Sequence, residues 1–305
     1  MSGLLSWPLQ DGWIRIEYCD MPLPGLPRQL AGAKLVHLSD LHYGPFVRAA
    51  HLHRYVELVN SMRPDIVALT GDFITVGCRA HASAVATVLR ELHASTAVVA
   101  CLGNHDYGLW HPRRGRPAAG LADYLSEQLE TAGVVVLRNS STTLGRADAA
   151  LRIVGLEDDW SGRFSPEQAL PQPVWGQPVI ALLHNPDSAP YIAPRGVPWI
   201  LAGHTHGKPT PAGRLWDAVF PTQCRHFVAG QYSLGHGRFL YVNRGLSNAM
   251  RYRPHHRPEI TMFSLCRAVS RSGASDRGER GTVWKQARHS TSCSADASMS
   301  EGGQP

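Results

Sequence analysis

An α/β fold with two packed sheets is predicted by two patterns in the sequence. In the first half, short apolar strands alternate with amphipathic helices at a pitch that suits βαβ units and a largely buried sheet. In the second half, strands follow one another with fewer helices between them, which predicts a second sheet packed on the first. At 305 residues and 43% apolar, the chain can bury a sizeable core in one large domain or two small ones.

The alternating segment Trp13-Ile14-Arg15-Ile16-Glu17-Tyr18 suits a half-buried strand at a sheet edge. The run from Pro22 to Pro27 predicts an extended connector, because its prolines cannot donate to a ladder. Residues 35–39 form the next strand. Leu52, Tyr55, Val56 and Val59 then repeat at helical spacing within His51–Met62, before Pro64 stops the helix. A strand over 66–70, a helix over Ala84–Leu92, a strand over 97–102 and a helix over Leu121–Leu129 follow. From there the predicted strands are Val134–Leu137, Leu151–Gly155, Val179–Leu183, Trp199–Ala202, Phe239–Val242 and Ile260–Leu265. The expected organisation is an N-terminal strand and connector over 1–33, one domain over 34–266, and a Ser-, Gly- and Arg-rich tail over 267–305. That tail is expected to be disordered, since it carries too little apolar surface to order itself.

Five of the apolar strands run directly into hard-metal or imidazole ligands. The blocks are Asp40-Leu41-His42, Gly71-Asp72, Gly103-Asn104-His105-Asp106, His184-Asn185 and Gly203-His204-Thr205-His206-Gly207. Functional groups in α/β sheets collect where strand C-termini open onto a crevice, so these side chains are expected to converge. Carboxylates mixed with neutral imidazoles suit two divalent ions of the Mn²⁺, Fe²⁺ or Zn²⁺ type. Asp40 and His42 are two apart, as are His204 and His206, so on ideal strands each pair would face one side. Asp72 is the natural bridge between the ions. Two ions ~3.5–4 Å apart can activate a shared water or hydroxide and clamp phosphate oxygens for in-line displacement.

Composition narrows the partners. The net charge of +6 and pI of about 9.1 suit an anionic substrate or surface. Scattered arginines, without a basic stripe interleaved with aromatics, argue against nucleic acid. Six dispersed cysteines without a CxxC pair predict free thiols in a reducing compartment. No run reaches the ~18 apolar residues that span a bilayer, and no secretion signal is evident. The expectation is a cytoplasmic protein, with peripheral contact at the inner membrane face kept open.

Taken together and in order, the five blocks resemble those of the calcineurin-like metallophosphoesterase superfamily. The flanking segments 22–27, Leu137-Arg138-Asn139, 241–246 and Arg257-Pro258-Glu259-Ile260 are similar to a bacterial membrane-surface phosphodiesterase branch, which includes UDP-2,3-diacylglucosamine pyrophosphohydrolase-like members. The resemblance implies a four-layer αββα sandwich of two mixed sheets with a dinuclear site at the strand C-terminal ends. One ion would take Asp40, His42, Asp72 and His206; the other would take Asp72, Asn104, His184 and His204. His105 would protonate the leaving oxygen or stabilise charge on the phosphoryl group, with Asp106 orienting it. The chain departs from the branch after Gly207, where Lys208-Pro209 replace a second glycine and a glutamine. Lys208, Arg113, Arg114 and Arg244 are weaker candidates for substrate contact, against the plainer reading of solvated loop cations. Trp216, Val219 and Phe220 are expected to pack as core, with an apolar lip for lipid as the rarer reading.

The implied function is a phosphodiesterase or pyrophosphohydrolase acting on a small substrate, lipid-linked ones included. A nuclease or cyclic-nucleotide phosphodiesterase of the same fold and a non-catalytic scaffold are the alternatives. A scaffold would be expected to have lost ligands or the catalytic histidine, and none is missing here.

Overall fold

The computed structural model describes residues 14–75, 77–111, 115–146, 149–207, 227–247 and 257–268. Among these residues, twelve strands form two mixed six-stranded sheets. The first has the order β1-β12-β2-β3-β4-β5, with β1 at Arg15–Leu23, β2 at Lys34–Leu38, β3 at Ile66–Thr70, β4 at Ala97–Cys101, β5 at Val134–Val136 and β12 at Glu259–Arg267. The second has the order β10-β11-β9-β8-β7-β6, from β6 at Ser140–Arg146, β7 at Ala149–Gly155, β8 at Val179–Leu182 and β9 at Trp199–Ala202 to β10 at Gly230–Ser233 and β11 at Phe239–Val242.

Alternation along the central strands explains the layers. Leu35, Ile66, Ala68, Val99 and Cys101 point inward to meet Ile180, Leu182, Trp199 and Leu201 of the opposing sheet. Their neighbours Val36, Leu38, Val67, Leu69, Val98 and Ala100 point outward, under helices α1 (Ala49–Ser61), α2 (Arg79–Leu89) and α3 (Leu121–Thr131). Strands buried on both faces therefore carry unbroken apolar runs. The far face of the second sheet is covered by short helical turns at 166–169 and 189–192. The result is the expected layered α/β sandwich.

Three details correct the sequence expectation. β1 continues through Pro22 and Leu23, paired with Cys266 and Arg267, because an edge strand can leave the proline side of its ladder unbonded. β5 and β12, taken from the sequence as part of the second sheet, belong to the first. β6 and β10 were not predicted at all; both are edge strands, and β6 reads SSTTLGR with little apolar content. No helix among the described residues is long and apolar enough to cross a membrane. Residues 269–305 of the predicted tail lie outside the described residues, as do Trp216, Val219 and Phe220.

Candidate metal centre

β2, β3, β4, β8 and β9 deliver the five blocks to one end of the sandwich. The donors are placed by the turns that follow the strands. Asp40, His42, Asp72, His204 and His206 all have left-handed backbones, with φ between 48° and 70°. They are five of the eight non-glycine residues with positive φ among the described residues. Each such residue costs about 1–2 kcal/mol relative to right-handed backbone. Strand parity, the sequence-level reason for pairing Asp40 with His42 and His204 with His206, therefore does not operate. Consecutive left-handed turns bring the pairs together instead.

Backbone amides lock these turns. Asp40 N donates to Gly71 O at 3.0 Å and His42 N to Asp72 O at 2.8 Å. His204 N donates to Asp40 Oδ2 at 3.0 Å, and His105 N to Asp72 Oδ1 at 2.9 Å. The approach is close enough to require glycine: a Cβ on Gly203 would come within 2.4 Å of Asp40 Oδ2, and one on Gly103 within 2.3 Å of Asp72 Oδ1.

Six donors face one another across short gaps. His42 Nε2 lies 3.2 Å from His206 Nε2 and 3.8 Å from Asp40 Oδ1, which is 3.4 Å from His206 Nε2. His184 Nε2 lies 3.2 Å from His204 Nδ1 and 3.1 Å from Asp72 Oδ2. The same Asp72 oxygen is 3.4 Å from His42 Nε2, so it faces both groups. Ligands bonded at ~2.1 Å to one ion stand ~3.0–3.4 Å apart in octahedral or tetrahedral arrangements. All but one of these gaps fall within about 0.2 Å of that range. Asp40 Oδ1 and Asn104 Oδ1 are buried without a hydrogen-bond partner among the described residues. Asn104 spends its amide on Leu109 O at 2.7 Å, leaving the oxygen as the available donor. Orphaned buried acceptors are costly unless a cation satisfies them, so the donor set fits divalent metal.

The electrostatics agree. Burial alone would raise Asp72, yet the imidazoles of His184, His105 and His42 hold it well below the usual carboxylate range. Asp40 is likewise held low against burial by His206 and His42. Burial and the charge of His184 bring His204 down to about 3, so its ring is neutral. His184 is pushed up despite burial by the Asp72 carboxylate, and His42 by Asp40 and Asp72. His184 Nδ1 is 2.7 Å from Thr70 O, which fixes a tautomer that leaves Nε2 free of a proton in the neutral ring.

His105 sits beside this cluster, edge-on to His42 with ring centroids 4.8 Å apart. Its Nδ1 donates to Thr75 O at 3.0 Å. Asp106 does not orient it, which corrects the sequence expectation. Both Asp106 oxygens instead accept from the amides of Asp72, Phe73, Ile74 and Gly103, at 2.8–3.3 Å. A single carboxylate thereby ties the Asp72 turn to the Asn104 turn. Arg244 is also corrected. Its guanidinium is ion-paired with buried Glu259 and lies 3.9 Å from Glu17, while its stem packs on Gly207. It braces the His206 turn, with its charge engaged by carboxylates of the protein. Arg113, Arg114 and Lys208 lie outside the described residues.

Thr75 escaped the sequence reading. Its hydroxyl donates to His42 O at 2.7 Å, and its carbonyl holds His105. No spacing rule marks such a loop threonine. Trp160 and Trp110 were also missed: one ring lies against His204 at 4.9 Å, the other against His105 at 4.5 Å.

The profile of the calcineurin-like phosphoesterases matches residues 33–208, more than half of the chain and all five blocks. The chain belongs to the calcineurin-like phosphoesterase family. It is similar to phosphodiesterase YaeI of Escherichia coli, 32% identical over 235 residues that cover 76% of this chain and 82% of the relative. UDP-2,3-diacylglucosamine pyrophosphatase LpxG of Chlamydia trachomatis is 28% identical over 310 residues, covering 86% and 93%. An uncharacterized metallophosphoesterase of Bacillus subtilis, YkuE, is 31% identical over 243 residues, covering 79% and 81%. As a member of this family the chain is a hydrolase of phosphoric ester bonds, and its buried His/Asp clusters are suited to the divalent metals with which the family works.

Proposed function

We propose that the protein is a dinuclear metal-dependent phosphodiesterase or pyrophosphohydrolase. The observation that carries this reading is Asp72 Oδ2, which faces His42 on one side and His184 on the other. Asp40, His42 and His206 would hold one ion with Asp72; Asn104, His184 and His204 would hold the second with the same carboxylate. Bound there, the ions would supply an acidified water and a clamp for phosphate oxygens.

The chain's own groups supply the rest. Thr70 O and Thr75 O orient His184 and His105. Burial lowers His105 despite the nearby Asp72 carboxylate, so a proton it carries is readily given up. With Nδ1–H held on Thr75 O, Nε2 carries a proton only in the imidazolium, and that proton is the one available to a leaving oxygen. Asp106 acts on the backbone, holding the Asp72 and Asn104 turns in register. The substrate is a small phosphodiester or pyrophosphate, and the likeness to UDP-2,3-diacylglucosamine pyrophosphatase LpxG makes lipid-linked substrates the first to screen.

Purified protein loaded with Mn²⁺ is expected to hydrolyse bis-p-nitrophenyl phosphate. Absence of turnover with Mn²⁺, Zn²⁺, Fe²⁺ and Ni²⁺ alike would refute the reading.

A further inference from the structure

The mouth of the site carries a large apolar side chain that the fold does not bury. Trp110 is 58% exposed and belongs to none of the three core clusters. Trp160, the other indole at the site, is partly buried and packs against the core beneath α1–α3. Core packing accounts for Trp160 and leaves Trp110 unexplained.

The backbone that carries the exposed indole is held at the residue before it. Asn104 grips the preceding residue twice, its carbonyl accepting from Leu109 N at 3.0 Å and its side-chain amide donating to Leu109 O at 2.7 Å. Leu109 itself is buried. The indole meets His105 at a centroid distance of 4.5 Å and an interplanar angle of 71°. His105 is pinned in turn by Thr75. An aromatic surface thus stands beside the histidine proposed to face the leaving oxygen, on a backbone held at the residue before it.

We infer that Trp110 is a specificity-determining residue, a stacking platform for a planar aromatic ring, such as a nucleobase, carried on the leaving side of the substrate phosphate. This rests on the phosphoesterase reading, because His105 defines the leaving side. An indole face binds any base through π-stacking and needs no hydrogen-bond pairing. An acyl chain would instead need a continuous apolar groove. Among the described residues, Phe46, on the loop that follows His42, is another large exposed apolar side chain.

The test compares two ligands that differ only in the base. Dissociation constants of UMP, ribose 5-phosphate and inorganic phosphate are measured by calorimetry on the Mn²⁺-loaded full chain. The wild type is expected to prefer UMP over ribose 5-phosphate by about 5- to 150-fold, the range that base–aromatic stacking supplies. Trp110→Ala is expected to bring that ratio close to one, while phosphate still binds. Trp110→Phe is expected to keep most of it. UMP is also expected to quench tryptophan fluorescence in the wild type more than in Trp110→Phe. A wild-type ratio near one, or a ratio unchanged in Trp110→Ala, overturns the inference while leaving the phosphoesterase reading intact. So does a preference for octyl over ethyl phosphate that vanishes in Trp110→Ala, which would make Trp110 an apolar lip. Failure of all three ligands to bind, with no turnover of bis-p-nitrophenyl phosphate, removes the phosphoesterase reading and the inference with it.

Discussion

Replacing His105 with alanine separates a proton donor from a metal ligand, two roles that the geometry brings close together. His105, His42 and Asp72 place ligand atoms within 4.8 Å of one another, so the ring stands at the margin of the cluster. Its attachments differ from those of the proposed ligands. The backbone amide of residue 105 donates to Asp72 Oδ1, and that bond survives truncation of the side chain. The side chain contributes one bond, Nδ1 to Thr75 O. Losing it costs about 1 kcal/mol, or up to about 3 kcal/mol if the carbonyl stays dry. Folding and metal content are therefore expected to persist in His105→Ala. Turnover is expected to fall by ~10²–10⁴, the usual contribution of a positioned acid, equivalent to about 3–5 kcal/mol of barrier. The loss should be smaller for an aryl leaving group, which departs without a proton, than for an alkyl one. The measurement pairs elemental analysis with kcat on matched aryl and alkyl phosphodiesters. Loss of one metal equivalent, or an equal loss of kcat on both substrates, would refute the donor assignment.

Asp72→Asn is expected to reduce both metal equivalents, because one oxygen faces both groups, whereas His206→Ala should reduce only one; elemental analysis of the two variants distinguishes them. Arg244→Ala should leave buried Glu259 unpaired and destabilise the fold by about 3–5 kcal/mol in chemical denaturation; inhibition by inorganic phosphate should change little in whatever protein remains folded. Asp106→Asn should lower thermal stability and metal content together, since an amide offers one acceptor oxygen where two now serve four backbone amides; unchanged metal content would show that the turns hold without it. Metal affinity should weaken as pH falls, and from above the ordinary imidazole value. Carboxylate neighbours raise His42 and His184 in the metal-free protein, so metal must displace protons there over a window that opens higher than for a free imidazole. Calorimetry in buffers of different ionisation enthalpy should detect the released protons, and a pH-independent affinity above pH 6.5 would contradict the raised values.

The convergence of the five blocks was legible in the sequence because each occupies the same local context, an apolar strand running into a polar turn. Leu35–Leu38, Ile66–Thr70 and Trp199–Ala202 are buried on both faces, so their periodicity announces strands whatever their order in the sheet. Edge strands such as β6 escape that logic, because a half-solvated ladder has no need of an apolar run. The geometry of the site was hidden for a different reason. Parity of Asp40 with His42 gives the right pairing only by coincidence, since both residues have left the strand and sit at φ 52° and 48°. Nothing in the identity of an aspartate or a histidine announces a left-handed backbone, which other conformations would satisfy at lower energy. The conformation is imposed from outside the turn. The Asp40 and His42 amides reach back to Gly71 and Asp72, and Asp106 reaches across to 72–74 and 103. The same logic reverses the roles within the third block. Adjacency in sequence suggested that Asp106 serves His105, but the tight turn over Asn104–Tyr107 points the carboxylate inward and the imidazole toward Thr75. A carboxylate buried among four amide donors is well suited to fix a backbone and poorly placed to share a proton with its neighbour. The division of labour follows: Asp106 builds the turns, Thr75 aims the imidazole, and the strained donors are left facing one another across ion-sized gaps.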